Sequence, residues 1–345
     1  MNAPNQAADG VVHVVPGPDD HGIVRHALGL LTHAPGVRVV RLPDGPRMGV
    51  DEVLTALPPA AGVHLHLNDE LLGDTPGVVE ALAERCPTSV TLHDVPSPAE
   101  GAVRYTRRRH ACTRVLRSAR LVVVASEHER QLLGACLPPG TSSAEREAQL
   151  RKVLVVPLPL VEPMASPVDD GRGPEPVVAV LGFVYPGKGH AEAIEAASGA
   201  GLRGVLALGT VAQGHEDLVE VLARQCHGRD LSWELTGYLD DEALVERARQ
   251  VAVPLAHHAH LSASGSIGSW IAAGRRPLVS DGPWVRELLA RCPGVVRIIA
   301  DPTADVRACL LDPGSTWLAP GTPVGPTPAE AWAALDRLLS AGVTR

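Results

Sequence analysis

Residues 182–190 read GFVYPGKGH, a glycine-rich turn that contains one lysine. Its first residue, Gly182, is the last residue of the β-branched run VVAVLG. The stretch is followed by AEAIEAASG, a segment with good helix propensity. A strand, a glycine turn and a helix in this order form a setting in which backbone N–H groups and a helix N-terminus attract phosphate. The chain has only two lysines, Lys152 and Lys188, and Lys188 lies in this turn between two glycines. The stretch therefore predicts an anion-binding turn in an α/β domain.

Short β-branched runs recur along the rest of the chain, and each is followed by a segment with helical spacing. This alternation is typical of βαβ units, in which helices cover both faces of a parallel sheet. The runs lie at 11–15, 37–42, 62–67, 89–94, 121–126, 152–158, 177–182, 204–209, 232–239, 251–255, 276–281 and 295–300. The sequence therefore predicts two doubly wound α/β domains.

The two series of runs are separated by a segment rich in proline, glycine and aspartate, which is the composition of a linker. We predict an N-terminal Rossmann-like domain at 1–158, a linker at 159–176 and a C-terminal Rossmann-like domain at 177–326. A chain of 345 residues is long for one core and comfortable for two.

The closing segment, 327–345, is predicted to form a separate helix. Thr327 is placed to cap this helix, Pro328 suits its first position, and Glu330 completes a capping box. Three apolar side chains share one face: Trp332, Leu335 and Leu339. We therefore expect this helix to dock on another part of the protein, and the N-terminal domain is the expected surface.

The charge distribution argues against a nucleic-acid partner. The formal net charge is −8 and the chain has no long basic tract, whereas binding to a phosphate backbone needs a concentrated positive field. The nearest basic segment is RYTRRRH at 104–110, with Arg107, Arg108 and Arg109. We interpret it as a solvated helical face in preference to an anion site.

Other features favour a cytoplasmic protein. Six cysteines are scattered without C-x-x-C spacing, which suits reduced thiols. The N-terminus lacks the pattern of a signal peptide, and no apolar run approaches the roughly 20 residues of a membrane span. We expect no membrane span, and the sequence leaves open whether the chain forms a homo-oligomer.

A second candidate for phosphate binding lies at 260–281, HLSASGSIGSWIAAGRRPLVSD. Ser264, Gly265 and Ser266 precede a predicted short helix, so small side chains and first-turn N–H groups gather at one helix start. A simple N-cap role would explain either serine taken alone. Two such turns at strand ends of one domain favour a diphosphate between them, because ligands of open α/β sheets bind at the carboxyl ends of the strands.

The glycine turn also matches the P-loop spacing G-x-x-x-x-G-K through Gly182, Gly187 and Lys188. That motif continues with Ser or Thr, which holds Mg²⁺, but the next residue here is Gly189. An NTPase therefore remains an alternative, as does a lysine merely tolerated in a surface turn.

Together these motifs resemble the GT-B glycosyltransferases, in particular the large retaining family 4. GFVYPGKGHAEAIEAA resembles that family's strand, glycine–lysine turn and helix; further resemblances lie in LTGYLDDEAL, AAGRRPLVSD, VTLHD and PDDHGIVRHALGLL. The resemblance implies two Rossmann-like domains with an inter-domain cleft and a C-terminal helix that crosses back to the first domain. It also implies metal-independent transfer of a sugar, with retention of configuration, from a UDP- or GDP-linked donor to a small-molecule acceptor. The resemblance implies no cofactor besides the nucleotide-sugar donor, which is a co-substrate.

The resemblance assigns roles to individual residues. Lys188 would neutralise the donor diphosphate and, with His93, would be catalytic. The other implied contacts are Phe183 beside the diphosphate; Tyr238 and Leu239 at the nucleobase; Ser264, Gly265, Ser266 and Ile267 at phosphate; His93 and Asp94 at the transferred sugar; and His21 and Gly22 near the acceptor.

The sequence departs from this family in one respect. The family usually carries two glutamates ahead of the motif that AAGRRPLVSD resembles. Anchoring the pattern on Gly274 places these positions near Leu261 and Ser269, and neither is acidic. Glycosyl transfer to a small molecule, as in natural-product biosynthesis, is therefore the first interpretation, and a nucleotide-sugar-binding protein of impaired activity is the second.

The histidines raise two further questions. His93 closes a predicted strand, where a structural role and a functional role are about equally supported. The cluster HHAH at 257–260 suggests zinc at first sight. Adjacent histidines on a strand or loop point apart, however, and no cysteine or acidic residue is spaced to assist. We therefore predict no metal site.

Overall fold

The computed structural model of the chain describes residues 10–165 and 173–343. The predicted linker lies partly outside these residues, at 166–172, as do both chain ends. All twelve predicted runs form strands, although several strands are shorter than the runs that predict them. The strands are β1 Val11–Pro16, β2 Arg38–Leu42, β3 Gly62–Leu67, β4 Thr88–Leu92, β5 Leu121–Val124, β6 Val153–Val155, β7 Glu175–Leu181, β8 Gly204–Leu208, β9 Ser232–Leu235, β10 Val251–Ala256, β11 Leu278–Val279 and β12 Arg297–Ile298.

Helices connect these strands, as parallel pairing requires. They are α1 Gly22–Leu31, α2 Val50–Ala56, α3 Thr75–Ala83, α4 Ala102–Ser118, α5 Glu127–Cys136, α6 Ser143–Leu150, α7 His190–Ala200, α8 Asp217–His227, α9 Asp241–Gln250, α10 Gly265–Ala272, α11 Pro283–Arg291, α12 Pro302–Leu311 and α13 Pro328–Val343. Among the described residues, no helix has both the length and the apolar character needed to cross a bilayer.

The first compact unit comprises the chain up to Pro159 together with the segment from Pro328 onward. Its six strands are all parallel, in the order β2-β1-β3-β4-β5-β6. β3 is buried along its whole length because helices cover both faces of the sheet. α13 packs against α1 in this unit, and the apolar residues predicted to share its face lie in that contact: Trp332, Leu335 and Leu339.

The second compact unit comprises Leu160–Thr327. Its strands are again all parallel, in the order β12-β11-β10-β7-β8-β9. Leu160, the first residue of this unit, is buried, and its N–H donates to the Pro326 carbonyl at 2.8 Å. The predicted α/β fold with two doubly wound parallel sheets is thus confirmed.

A buried arginine anchors the segment after α10. Arg275, in the motif AAGRRPLVSD, is 1% exposed. Its guanidinium donates to the carbonyls of Ala248 and Val251 at 3.0 and 2.8 Å and stacks on the Trp317 ring, 4.2 Å from the ring centroid. Since these carbonyls lie where α9 ends and β10 begins, Arg275 holds the carboxyl end of α10 against β10.

Candidate functional site

The glycine turn lies at the topological switch point of the second unit. β7 pairs with β8 on one side and with β10 on the other, so the connections from β7 and β10 leave in opposite directions. Ligands of open α/β sheets bind outside the carboxyl ends of strands at this point. The turn after β7 and the loop after β10 meet there, since the Ala259 N–H donates to the Gly187 carbonyl at 2.9 Å.

Two glycines make the shape of this turn possible. Gly182 has a φ of +111°, and a Cβ on it would lie 3.1 Å from Nζ of Lys188. Gly189 has a φ of +101°, and a Cβ there would lie 2.5 Å from the His257 carbonyl oxygen. A side chain at position 189 would therefore meet both backbone strain and a backbone clash. The turn accordingly has no hydroxyl where a P-loop holds Mg²⁺.

The Lys188 ammonium is buried beside α10. The residue is 6% exposed, and Nζ donates to Oγ of Ser266 at 3.0 Å. Oγ of Ser264 lies a further 3.0 Å from Oγ of Ser266. Within residues 10–165 and 173–343, no carboxylate forms an ion pair with Lys188. Burial lowers the pKa of this lysine to about 8.

Two helix starts approach this ammonium. α7 begins at His190, two residues after Lys188, and its N-cap Gly189 provides no side-chain hydrogen bond. α10 begins at Gly265, and its N-cap Ser264 accepts from the Ile267 N–H at a long 3.4 Å. First-turn N–H groups have no intrahelical acceptor and carry the positive end of the helix dipole. The structure thus brings together the two segments that the sequence selected as phosphate-binding.

The other predicted donor contacts differ in exposure. Phe183 is 44% exposed and Tyr238 is 60% exposed, so both rings are available to a ligand. Leu239 packs against a hydrophobic cluster that includes Trp270 and Val251, and it therefore contributes to the core. Tyr185, which is not among the predicted contacts, places its ring centroid 5.9 Å from the Lys188 ammonium.

Two further histidines near Lys188 were not predicted. His190 is 3% exposed and His258 is 6% exposed. Burial, and then the Lys188 charge, lower the pKa of His190 to about 3 and that of His258 to about 2. Both ring nitrogens of His190 and Nε2 of His258 lack a partner among the described residues. These neutral imidazoles offer additional N–H donors beside the ammonium.

In the first unit, His93 follows β4 and belongs to a buried group of imidazoles. Its ring lies 5.2 Å from that of His26 and 5.7 Å from that of His66, measured between centroids. Burial, and then the nearby histidines His26 and His21, hold the pKa of His93 well below its usual value. Nε2 of His93 is buried without a partner among the described residues. His93 is therefore a neutral side chain with one unused nitrogen.

The residues implied near the acceptor form the start of α1. His21 is the N-cap of this helix, and its Nδ1 accepts a hydrogen bond from the Ile23 N–H at 3.2 Å. Gly22 is the first helical residue. Burial is the main cause that lowers the pKa of His21. The structure thus gives Nδ1 of His21 a capping role. Nε2 is the ring nitrogen that does not take part in this cap.

The interpretation of 104–110 as a solvated face is wrong for Arg108. This side chain is 2% exposed and forms ion pairs with Asp69, Asp94 and Glu100 at 2.8, 2.7 and 2.7 Å. Burial alone would lower the pKa of Arg108, but the three carboxylates raise it. Asp94, implied as a sugar contact, therefore has its carboxylate held by a buried guanidinium. Arg107, by contrast, is exposed as predicted.

A group of three histidines was also missed. His13, His64 and His66 are fully buried, and each offers a ring nitrogen within 4.8 Å of the others. The local signal was present, because HLH within β3 places two histidines on one face of the sheet. The partner from β1 is separated from them by about fifty residues of sequence, and only the strand pairing brings it close.

Comparison with known proteins gives matches to solved structures. No family model and no curated protein matches this sequence. The structure of Anabaena HepE in complex with UDP and glucose matches with a TM-score of 0.67 and 13% identity, over 96% of both chains. A UDP-forming α,α-trehalose-phosphate synthase from Burkholderia xenovorans matches with a TM-score of 0.62 and 14% identity, over 97% of this chain and 95% of that one. The pneumococcal O-GlcNAc transferase GtfA, in complex with UDP and GlcNAc, matches with a TM-score of 0.57 and 13% identity, over 82% of this chain and 57% of that one. These similarities establish the fold as GT-B, as the sequence analysis predicted.

Proposed function

We propose that this chain is a glycosyltransferase that moves a sugar from a nucleoside-diphosphate donor to a small-molecule acceptor. The observation that carries this proposal is the buried Lys188 ammonium, which lies at two helix starts and has no carboxylate partner among the described residues. A buried cation without a counter-charge lowers the stability of the fold. A bound diphosphate would supply that counter-charge and would accept the first-turn N–H groups.

The solved structures with this fold favour a UDP-linked sugar over a GDP-linked one. HepE is described with UDP, with UDP and glucose, and with UDP-glucose. The trehalose-phosphate synthase is described as UDP-forming. In this chain the exposed rings of Phe183 and Tyr238 provide apolar surface in the loops of the same unit. We propose that Tyr238 borders the uracil ring and that Phe183 lies beside the diphosphate.

The proposed chemistry is transfer with retention. The bond between the anomeric carbon and the β-phosphate oxygen breaks, and the acceptor heteroatom bonds to the same face of that carbon. The departing phosphate takes the acceptor proton, so no protein base is required. Lys188 and the N–H groups of α7 and α10 stabilise the charge that develops on the phosphate, which needs no metal ion. Acceptors of this reaction class include the alcohols, amines and thiols of natural products.

A binding protein of impaired activity is the second candidate, favoured by the side chains at the two positions where the related family has glutamates. Leu261 packs on an apolar cluster of the second unit, and Oγ of Ser269 donates to the Gly265 carbonyl at 3.2 Å. Neither residue offers a carboxylate to a sugar or ribose hydroxyl. In this case UDP would bind, and sugar would not be transferred.

Calorimetry and a donor screen separate the candidates. We expect UDP to bind without Mg²⁺ and a panel of UDP-sugars to be hydrolysed slowly in the absence of acceptor. UDP binding without hydrolysis or transfer of any donor would favour the impaired binding protein. Binding of ATP or GTP only with Mg²⁺ would favour an NTPase. For an active donor, NMR assignment of the product's anomeric configuration tests retention.

The affinity for UDP should fall as the pH rises above about 8. In the free protein the Lys188 pKa is about 8, so the ammonium is the minor form at higher pH. A bound diphosphate stabilises the ammonium and raises that pKa, so binding takes up a proton in this range. We expect roughly tenfold weaker affinity per pH unit between about pH 8 and 10, measured by calorimetry. Lys188→Met should bind weakly with no such slope, and a flat wild-type profile would contradict the assignment.

A further inference from the structure

Three histidines lie on one face of the sheet in the first unit, at its topological switch point. β1 pairs with β2 on one side and β3 on the other, and the β1–β3 register places His13 directly beside His64. His66 lies two residues further along β3 and therefore on the same face. The Trp332 ring of α13 covers His13 at 5.4 Å between centroids. The positions are fully enclosed by the core.

The spacing of the three rings suits a common ligand. Nδ1 of His13 lies 3.1 Å from Nε2 of His66, and the ligand nitrogens of all three lie within 4.8 Å of one another. Zinc–nitrogen bonds of 2.0–2.1 Å in a tetrahedral site separate two ligand nitrogens by about 3.3 Å. The His13–His66 pair, now joined by a hydrogen bond, already has this separation. Metal binding would replace that hydrogen bond and would draw the His64 nitrogen closer to the other two.

The hydrogen bonds of His64 define which of its nitrogens is available. Oγ of Ser89 donates to the Val63 carbonyl at 3.2 Å, so it accepts at 2.9 Å from Nδ1–H of His64. Nε2 of His64 therefore carries the lone pair, which now accepts from the Thr91 hydroxyl at 2.8 Å. A ring that donates one N–H to an oxygen and presents the other nitrogen is the usual arrangement of a metal-binding histidine.

Two observations distinguish this group from ordinary core packing. Nδ1 of His66 is buried and has no partner among the described residues, a situation that destabilises the fold when nothing compensates it. A cavity of about 30 Å³ adjoins the group at His66 and is also lined by Thr91 and His93 among others. This volume holds about two water molecules. One can be a metal ligand, and the other can accept from Nδ1–H of His66.

The geometry points to a divalent transition-metal site formed by Nδ1 of His13, Nε2 of His64 and Nε2 of His66, with water as the fourth ligand. Imidazole ligands in a tetrahedral arrangement suit Zn²⁺, with Co²⁺ as its spectroscopic substitute. The ion would join β1 and β3 beneath α13. It would stabilise the first unit because it would bind the folded chain and not the unfolded chain. This site is distinct from the anion site at Lys188, and its ligands are not among the residues assigned to the donor or the acceptor.

The test uses the full chain without a histidine tag. Chelator-treated protein should take up one equivalent of Zn²⁺, with a higher melting temperature, and should give the visible spectrum of tetrahedral Co²⁺. X-ray absorption of the zinc-loaded wild type should show three imidazole nitrogens and one oxygen at about 2.0–2.1 Å. Fewer than three imidazoles, or no uptake of either ion, would overturn the site without recourse to any variant.

Variants identify the ligands. His66→Gln should abolish stoichiometric uptake, whereas His33→Gln, at an exposed position, should leave it unchanged. Ser89→Ala removes only the hydroxyl that orients His64, and it should weaken zinc binding about 10–100-fold. Circular dichroism establishes whether each variant is folded. Full uptake by folded His66→Gln, or loss of uptake on replacing His258 instead, would assign the metal elsewhere and overturn the proposal.

Discussion

Lys188→Met should lower turnover of the preferred nucleotide sugar by about a hundredfold or more. Removal of one preorganised donor to a developing negative charge costs about 2.7–4 kcal/mol in comparable sites. The ammonium also binds the diphosphate in the ground state, so the affinity for UDP should fall in the same variant. Steady-state kinetics with the donor identified by the screen, and calorimetry with UDP, measure the two effects.

The fold of Lys188→Met should be at least as stable as that of the wild type. The lowered pKa of Lys188 means that the folded protein disfavours the ammonium relative to the unfolded chain. Methionine is a similarly long, unbranched side chain without the charge, so it removes this cost and loses one hydrogen bond to Ser266. Lost activity in a protein of unchanged melting temperature would separate the functional role from a structural one.

The second lysine of the chain is a matched control. Nζ of Lys152 donates to the carbonyls of Arg117 and Ala119 at 3.1 and 2.9 Å, at the carboxyl end of α4. Burial lowers the pKa of Lys152 to about 8 as well. Lys152→Met therefore removes a comparable ammonium from outside the glycine turn, and it should leave UDP affinity unchanged. Equal UDP affinity in Lys188→Met and the wild type would remove Lys188 from the site.

Arg108→Met should lower the free energy of unfolding by about 3–5 kcal/mol, the usual effect of removing one partner from a buried ion pair. Nε, Nη1 and Nη2 of Arg108 each donate to a different carboxylate, and Asp69 and Glu100 are themselves largely buried. Without the guanidinium, three neighbouring carboxylates repel one another. Urea unfolding of the variant measures the loss.

Arg108→Lys should recover little of this stability. A lysine has one ammonium in place of a planar fork, so it cannot reach three carboxylates that approach from different directions. The neighbouring Arg107→Met is the control, because Arg107 is 67% exposed and lies 3.6 Å from an exposed Glu70. That change should stay within about 0.5 kcal/mol of the wild type. Equal unfolding curves for Arg107→Met and Arg108→Met would contradict the role assigned to the buried guanidinium.

The sequence alone could not predict that Arg108 is buried whereas Arg107 is exposed. Both residues lie in one basic run, and helical spacing alone does not state which of them faces the sheet. Arg108 is buried because Asp69 follows β3 and Asp94 follows β4, and parallel pairing brings these strand ends together beneath α4. The three histidines of the first unit were missed for the same reason, since His13 meets His64 and His66 only through the β1–β3 register.

The sequence by itself determined the alternation of strands and helices and the positions of the two turns that are candidates for phosphate binding. These depend on local chemistry: β-branched runs, glycines with positive φ, and small residues at helix starts are all readable within about ten residues. The tertiary structure alone decided that the Lys188 ammonium reaches Ser266, that Arg108 is buried and that three imidazoles share one space. Burial and charge pairing depend on groups far apart in the chain, and strand order determines which of those groups meet.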